Sequence, residues 1–140
     1  DGYTQAFDWI GTRDVTAWLC FDAAARFHDA RGGESLMARN RDLAEQACAL
    51  LASRLGMLPT APASMRGAMA CLTLRPTLAD SATVVGVMKH LRECCGAIVP
   101  VHLFQETLCV RISAQIYNEM RDYEALIDAL SIALQQMDAS

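Results

Sequence analysis

No apolar stretch of the chain approaches the ~18 residues needed to span a bilayer, so a helical membrane anchor is not expected. No charged-then-apolar leader opens the sequence, which argues against a secretory signal. Basic blocks are missing too. The 12 Lys and Arg against 16 Asp and Glu leave a net charge of −4, and nucleic acid is not an expected partner. Aromatics make up only 6% of the residues, so Ala, Leu, Val and Met must supply the core. That balance favours helices packed on a small sheet. Several chemistries lack their signatures: there is no G-x-S-x-G, no G-x-G-x-x-G and no P-loop. His28, His90 and His102 are dispersed, and no hydrolytic triad assembles around them. None of the six cysteines forms a C-x-x-C pair and no Cys/His spacing matches a zinc site, so no metal is expected. The cysteines read as small hydrophobes of a reducing, cytoplasmic setting.

What is present is one domain's worth of chain, 140 residues with a 53% apolar fraction, long enough to bury a core. Residues 1–14 read as an extended lead-in that closes in a Gly11-Thr12 turn. Residues 15–56 read as a helical hairpin. Asp14 can cap its first helix, and Val15, Trp18, Leu19, Ala23 and Phe27 give that helix an apolar stripe. Arg31-Gly32-Gly33 ends it. The second helix runs from Glu34 or Ser35 to Leu55 and stops at Gly56, with Leu36, Leu43, Ala47, Leu50, Leu51 and Leu55 inward.

Residues 58–65 form a connector rich in Pro and Ala. Residues 66–140 then read as β-α-β-β-α. The elements are a strand over 67–74, a helix Ser81–Cys95 capped by Asp80 and ended by Gly96, and a strand over 98–104. Pro100 predicts an edge position or a bulge for that strand. Gln105-Glu106 links it to Thr107–Ser113 in an antiparallel hairpin, and a last helix covers about 120–137. The order α-α-β-α-β-β-α predicts an α+β fold: a helical hairpin, then a small, mainly antiparallel three-stranded sheet covered by helices.

The segment Thr107–Asn118, TLCVRISAQIYN, carries the chemistry. Leu108, Val110 and Ile112 alternate with small or polar residues, so one face is core and the other presents Arg111. By residue type alone, Arg111 is an exposed side chain on a solvated face. Held on a rigid strand, its guanidinium also suits two-pronged binding of a carboxylate, with hydroxyl and amide groups just beyond it. Gly11-Thr12 is likewise an ordinary turn, or a glycine, hydroxyl and amide ahead of a helix that can hold a phosphate oxygen. Asp22, Asp29, Asp122 and Glu124 read as solvated helix charges. The Cys94-Cys95 doublet, near Lys89 and Arg92, reads as structural.

Two segments read together add a resemblance. Phe7–Asp14, FDWIGTRD, resembles the Gly-Thr-x-Asp segment of class V aminotransferases that depend on pyridoxal phosphate, and most closely the isopenicillin N epimerase-like proteins. VRISAQIYNEMRDYEALIDAL resembles that family's closing strand and final helix. Between them, APASMRGAMACLTL and GAIVPVHL fit its small-domain strands in order and spacing. The resemblance implies fold type I, of which this chain matches the end of the large domain and the small C-terminal domain. It also implies a homodimer acting on a small amino acid, with no nucleic acid or membrane partner. Arg111 would bind the substrate carboxylate, Tyr117 and Asn118 would shape the same region, and Thr12 with Gly11 would contact the cofactor phosphate across the dimer interface.

One departure limits the resemblance. The family's Schiff-base lysine precedes the Gly-Thr segment, and the only lysine here, Lys89, lies in a helix between strands. No catalytic residue is therefore expected on these 140 residues, which look like the C-terminal part of an enzyme. They are expected neither to hold the cofactor tightly nor to turn over alone. A cysteine desulfurase with Cys94 or Cys95 as sulfur acceptor is a rival, although RECCGAIVP lacks the histidines of that group's "G-H-H-C" loop. A non-catalytic α+β module binding a small ligand or partner through its sheet is another.

Overall fold

A computed structural model describes residues 13–74, 80–104 and 106–138, together with Gly2, Thr4, Asp8 and Gly11. The chain divides into two compact units, Asp1–Ser35 and Leu36–Ser140. Sequence periodicity groups 15–56 as one hairpin, whereas the compact units place its second arm with the sheet.

In the first unit, α1 (Thr16–Leu19) and α2 (Phe21–Ala30) replace the single helix expected over this span. The break is slight, because Cys20 between them keeps right-handed helical angles. Val15 rather than Asp14 occupies the cap position, yet the Asp14 carboxylate still accepts the Thr16 amide at 2.8 Å. The Thr16 hydroxyl, first, and then that amide hold the Asp14 carboxyl below its ordinary range. Arg26 and Asp22 pair one turn apart, and the Arg31 guanidinium lies 5.0 Å from the centre of the Phe27 ring. The apolar stripe is present but not buried: Val15, Trp18, Leu19 and Phe27 are all exposed.

The second unit opens within α3 (Glu34–Leu55). Leu36, Asn40, Leu43, Ala44, Ala47, Cys48 and Leu51 recur at helical spacing and form its buried face, with Leu50 and Leu55 half-buried. Gly56, at φ 65°, takes the left-handed angle that ends the helix. The Arg66 guanidinium then ties the connector back to α3, gripping the Glu45 carboxylate at 2.6–3.0 Å and the Ala61 carbonyl at 2.5 Å.

A four-stranded sheet replaces the three-stranded one expected. Leu58–Pro59, assigned to the connector by its composition, is the short strand β1. It pairs with β2 (Met69–Thr73), opposite Thr73 and Leu72. Pro59 is tolerated because β1 is an edge, where one side of the strand needs no partner. The sheet order is β1-β2-β4-β3, with β3 Val101–Phe104 and β4 Thr107–Ser113, and every pairing is antiparallel. The α+β class, the β3–β4 hairpin and the edge position of β3 are as expected. Glu106 in the hairpin link stands at φ 62°.

Between β2 and β3 lies α4 (Ser81–Cys95), bounded as its sequence predicts. The Asp80 side chain accepts the Thr83 amide at 2.8 Å, and Gly96 closes the helix in the left-handed conformation. Val87 and Leu91 are fully buried, while Met88 is 41% exposed. The last helix is α5 (Met120–Asp138), burying Tyr123, Leu126, Ile127 and Leu130. These helices share one core with Ala70, Leu72, Val101, Leu108, Val110 and Ile112 from a single face of the sheet. Among the described residues no helix is long and apolar enough to cross a membrane.

Candidate functional site

The other face of the sheet follows from the same period-two rule. Every residue that alternates with the core set points away from the helices, and in β4 these are Thr107, Cys109, Arg111 and Ser113. Cys71 of β2 stands directly opposite Arg111, and His102 of β3 directly opposite Cys109. Arg111 is exposed, and its backbone amide is fixed to the Pro100 carbonyl at 3.0 Å. Among the described residues its guanidinium has no hydrogen-bond or ion-pair partner. A strand locked on both sides thus presents a free two-pronged donor.

Arg111 lines a cleft of about 600 Å³ at the end of β4. Its lining is apolar along Ala97, Ile98, Val99 and Pro100, and polar through Ser113, Tyr117, Asn118, Arg121 and the Asp122 carboxylate. A cleft that combines apolar surface with an exposed arginine suits a small carboxylate-bearing molecule with a mainly apolar body. Arg111, Tyr117 and Asn118, singled out on sequence grounds, are therefore brought together. Gly11 belongs to the first unit, exposed and at φ 79°, an angle glycine adopts freely. Thr12 lies outside the described residues. Lys89 is not in this cleft; it projects from α4 with Glu93 at 3.9 Å.

The turn between β4 and α5 is built from its own side chains. The Gln115 amide donates to Asn118 Oδ1 at 3.0 Å, and the Ile116 amide to Gln115 Oε1 at 2.9 Å. Asn118 Nδ2 and the Glu119 amide both donate to Asp122 Oδ2, at 3.2 and 2.9 Å. Asp122 so plays the third-residue part of a capping box for α5. The Glu119 amide first, then the Asn118 side chain, keep the Asp122 carboxyl below its ordinary range. Asn118 is thereby committed to the turn at both ends of its amide, while Tyr117 stands 78% exposed at the rim of the cleft.

From across the unit, α3 joins this turn. Arg39 donates to the Gln115 carbonyl at 3.3 Å and the Asn118 carbonyl at 2.9 Å, and Asn40 Nδ2 donates to Gln115 Oε1 at 3.1 Å. Sequence reasoning missed the parts played by Arg39, Asn40, Gln115 and Asp122. For Asn40 a signal existed: it interrupts the apolar face of α3 between Leu36 and Leu43, and a polar group there needs a partner. For Arg39 and Asp122 there was none, since surface charges on helices are ordinary.

The cysteine doublet splits in two. The Cys95 thiol donates to the Leu91 carbonyl at 3.1 Å and borders the Arg111 cleft. Cys94 is exposed, its Sγ 3.4 Å from His90 Nε2. Among the described residues no group of three or more His, Cys, Asp or Glu is placed to hold a metal ion.

No family model matches the chain. It is similar to an L-cysteine desulfhydrase of Arabidopsis thaliana, at 30% identity over 142 residues, covering 88% of this chain and 31% of that protein. It is also similar to the putative L-cysteine desulfhydrase 2 of Oryza sativa subsp. japonica, at 28% identity over 154 residues, covering 94% of this chain and 32% of that one. The chain thus spans about a third of the length of the curated relatives it matches.

Proposed function

We propose that this chain is the carboxylate-binding part of a pyridoxal-phosphate enzyme that acts on a small amino acid, with L-cysteine as substrate and sulfide as product. The observation that carries the reading is Arg111. Among the described residues its guanidinium has no hydrogen-bond or ion-pair partner, and it stands on a rigid strand lining a cleft with an apolar wall. The names of the two relatives supply the substrate and the direction of the chemistry. The sequence resemblance supplies the cofactor and the carboxylate role, while its epimerase branch gives way here to sulfur removal.

The residues of the chain do not make a complete cofactor site. Its one lysine, Lys89, stands outside the Arg111 cleft beside Glu93. The lysine that holds the cofactor, and the chemistry the cofactor supplies, therefore belong to residues beyond these 140. What this chain does is bind and orient. Arg111 grips the carboxylate in two-pronged fashion, and the Ala97–Pro100 wall excludes water from the substrate's apolar flank. Tyr117 bounds the mouth. Gly11 and Thr12 keep the phosphate contact, and the homodimer the partner geometry, that the resemblance implies.

The test uses the longer protein that contains this chain. Sulfide release from L-cysteine is measured for the wild type and for Arg111→Lys, in which a point charge replaces the fork. KM is expected to rise about tenfold, the loss of one charge-assisted hydrogen bond. Unchanged kinetics would end the carboxylate assignment. Racemised cysteine without sulfide would restore the epimerase.

A second reading, transfer of sulfur to a protein thiol, rests on Cys94 and the His90 imidazole beside it. It predicts that the Cys94 thiol takes the sulfur of L-cysteine as a persulfide, leaving alanine as the second product, the added sulfur being read by mass spectrometry. An unmodified Cys94 removes it.

A further inference from the structure

We infer that Arg39 and Asn40 of α3 are positioning residues for the Arg111 cleft: they hold the Gln115–Asn118 turn so that Tyr117 projects beside the bound carboxylate. The inference rests on the carboxylate reading of that cleft. Arg39 lies 76 residues from Gln115 and 79 from Asn118, so only the tertiary fold brings them together.

The turn has six residues between the end of β4 and the start of α5, and five of its six backbone amides have a partner within the fold. The Ala114 amide is tied to the Ala68 carbonyl at 2.7 Å, and the Asn118 amide to the Gln115 carbonyl at 2.9 Å. The amides of Gln115, Ile116 and Glu119 are taken by the side chains of Asn118, Gln115 and Asp122. The Gln115 carbonyl, at the start of the turn, and the Asn118 carbonyl, near its end, are gripped by one guanidinium. Arg39 spans the loop like a strap, Nη1 on one carbonyl and Nη2 on the other. A planar fork can do this, and a lysine ammonium could serve only one end.

Asn40 supplies the register. It is 6% exposed, a buried side-chain amide on the core face of α3. Its Nδ2 meets Gln115 Oε1, and its Oδ1 accepts from Arg39 Nη1 at 3.2 Å. A buried amide is costly unless bonded. The pair Asn40–Gln115 therefore defines one position of the turn on α3 and penalises others. With Gln115 and Asn118 spent on scaffolding, Tyr117 is left as the turn's outward, exposed side chain in the cleft. Residues that never touch substrate thus set where its neighbour stands.

The experiment compares Arg39→Ala, Arg39→Lys, Asn40→Ala and Arg111→Lys in the longer protein. Sulfide release gives KM and kcat, and hydrogen exchange gives the opening of the Ile116 and Asn118 amides. Arg39→Ala is expected to raise KM for L-cysteine about fivefold or more while kcat changes less. It should also speed exchange at both amides, with Arg39→Lys falling between it and the wild type. In a Tyr117→Phe background the KM effect of Arg39→Ala should shrink, since the two act through one side chain. The inference is overturned if Arg39→Ala and Asn40→Ala keep the wild-type KM while Arg111→Lys raises it. If Arg111→Lys itself leaves KM unchanged, the carboxylate reading falls instead, even where exchange at Ile116 and Asn118 still answers to Arg39.

Discussion

Tyr123 donates its phenol hydroxyl to the Ser113 carbonyl at 2.8 Å, joining the end of β4 to the first turn of α5. The bond spans the turn from beneath while the ring is 4% exposed in the core. Tyr123→Phe keeps the packing but strands the carbonyl. It should cost about 1 kcal/mol in denaturant unfolding. Burial, then the nearby Asp122 charge, hold the Tyr123 phenol above its ordinary pKa. The folded state therefore keeps this proton longer than the unfolded chain. The stability it contributes is complete below about pH 10 and is lost as pH rises through the folded value. Phenolate absorbance should show a late-titrating component that is missing in Tyr123→Phe.

Asp122 predicts the opposite dependence. Its carboxyl is held low by the Glu119 amide and then by the Asn118 side chain, so the folded state releases this proton more readily than the unfolded chain. Its contribution is present above about pH 4 and fades as pH falls through the folded value. Asp122→Asn should flatten the loss of stability between about pH 5 and pH 3, to be followed by urea midpoints. Parallel curves for the two proteins would remove Asp122 from the account.

The cysteines should react in a set order. The Cys109 thiol is pushed up to about 11, first by burial and then by the neighbouring Cys71. At about pH 8 it should resist iodoacetamide until the protein unfolds. Cys94 and Cys20, both exposed, should be alkylated in the folded state. Peptide mapping after timed quenching reads the order directly, and early labelling of Cys109 would contradict its burial.

Arg66 offers a stability test away from the cleft. Its fork holds Glu45 of α3 and the Ala61 carbonyl together, and its side chain is only 10% exposed. The Glu45 hydrogen bonds, first of all, raise the Arg66 pKa. Arg66→Lys keeps the charge and loses the geometry, for an expected cost of about 1–2 kcal/mol, moderated because Glu45 is half exposed. Chemical denaturation measures it, and an unshifted midpoint would mean that the connector is held by other contacts.

How much of the fold was legible in the sequence depended on the range of the forces involved. Asp80 and Gly96 bounded α4 because a cap and a left-handed glycine act within one helical turn. The alternation in Thr107–Ser113 foretold which side of β4 is core, because side chains on a strand switch faces at each residue. The β3–β4 hairpin followed from a two-residue link. Where neighbours in space are distant in sequence, that logic stops. Leu58–Pro59 has the composition of a loop and became a strand because β2 offered it an edge. Trp18 and Phe27 make a stripe with the periodicity of a buried face, and both are exposed.

The Arg111 cleft divides in the same way. The sequence by itself determined that β4 would carry one long cationic side chain on its non-core face, because period two allows no other place for Arg111. Only the tertiary structure decided what surrounds it. The Ala97–Pro100 wall comes from the segment linking α4 to β3, and the clamp on the Gln115–Asn118 turn from Arg39 and Asn40 of α3. A residue's own pattern can say which way it points, but a hydrogen bond between groups 75 residues apart exists only once packing has closed the chain between them.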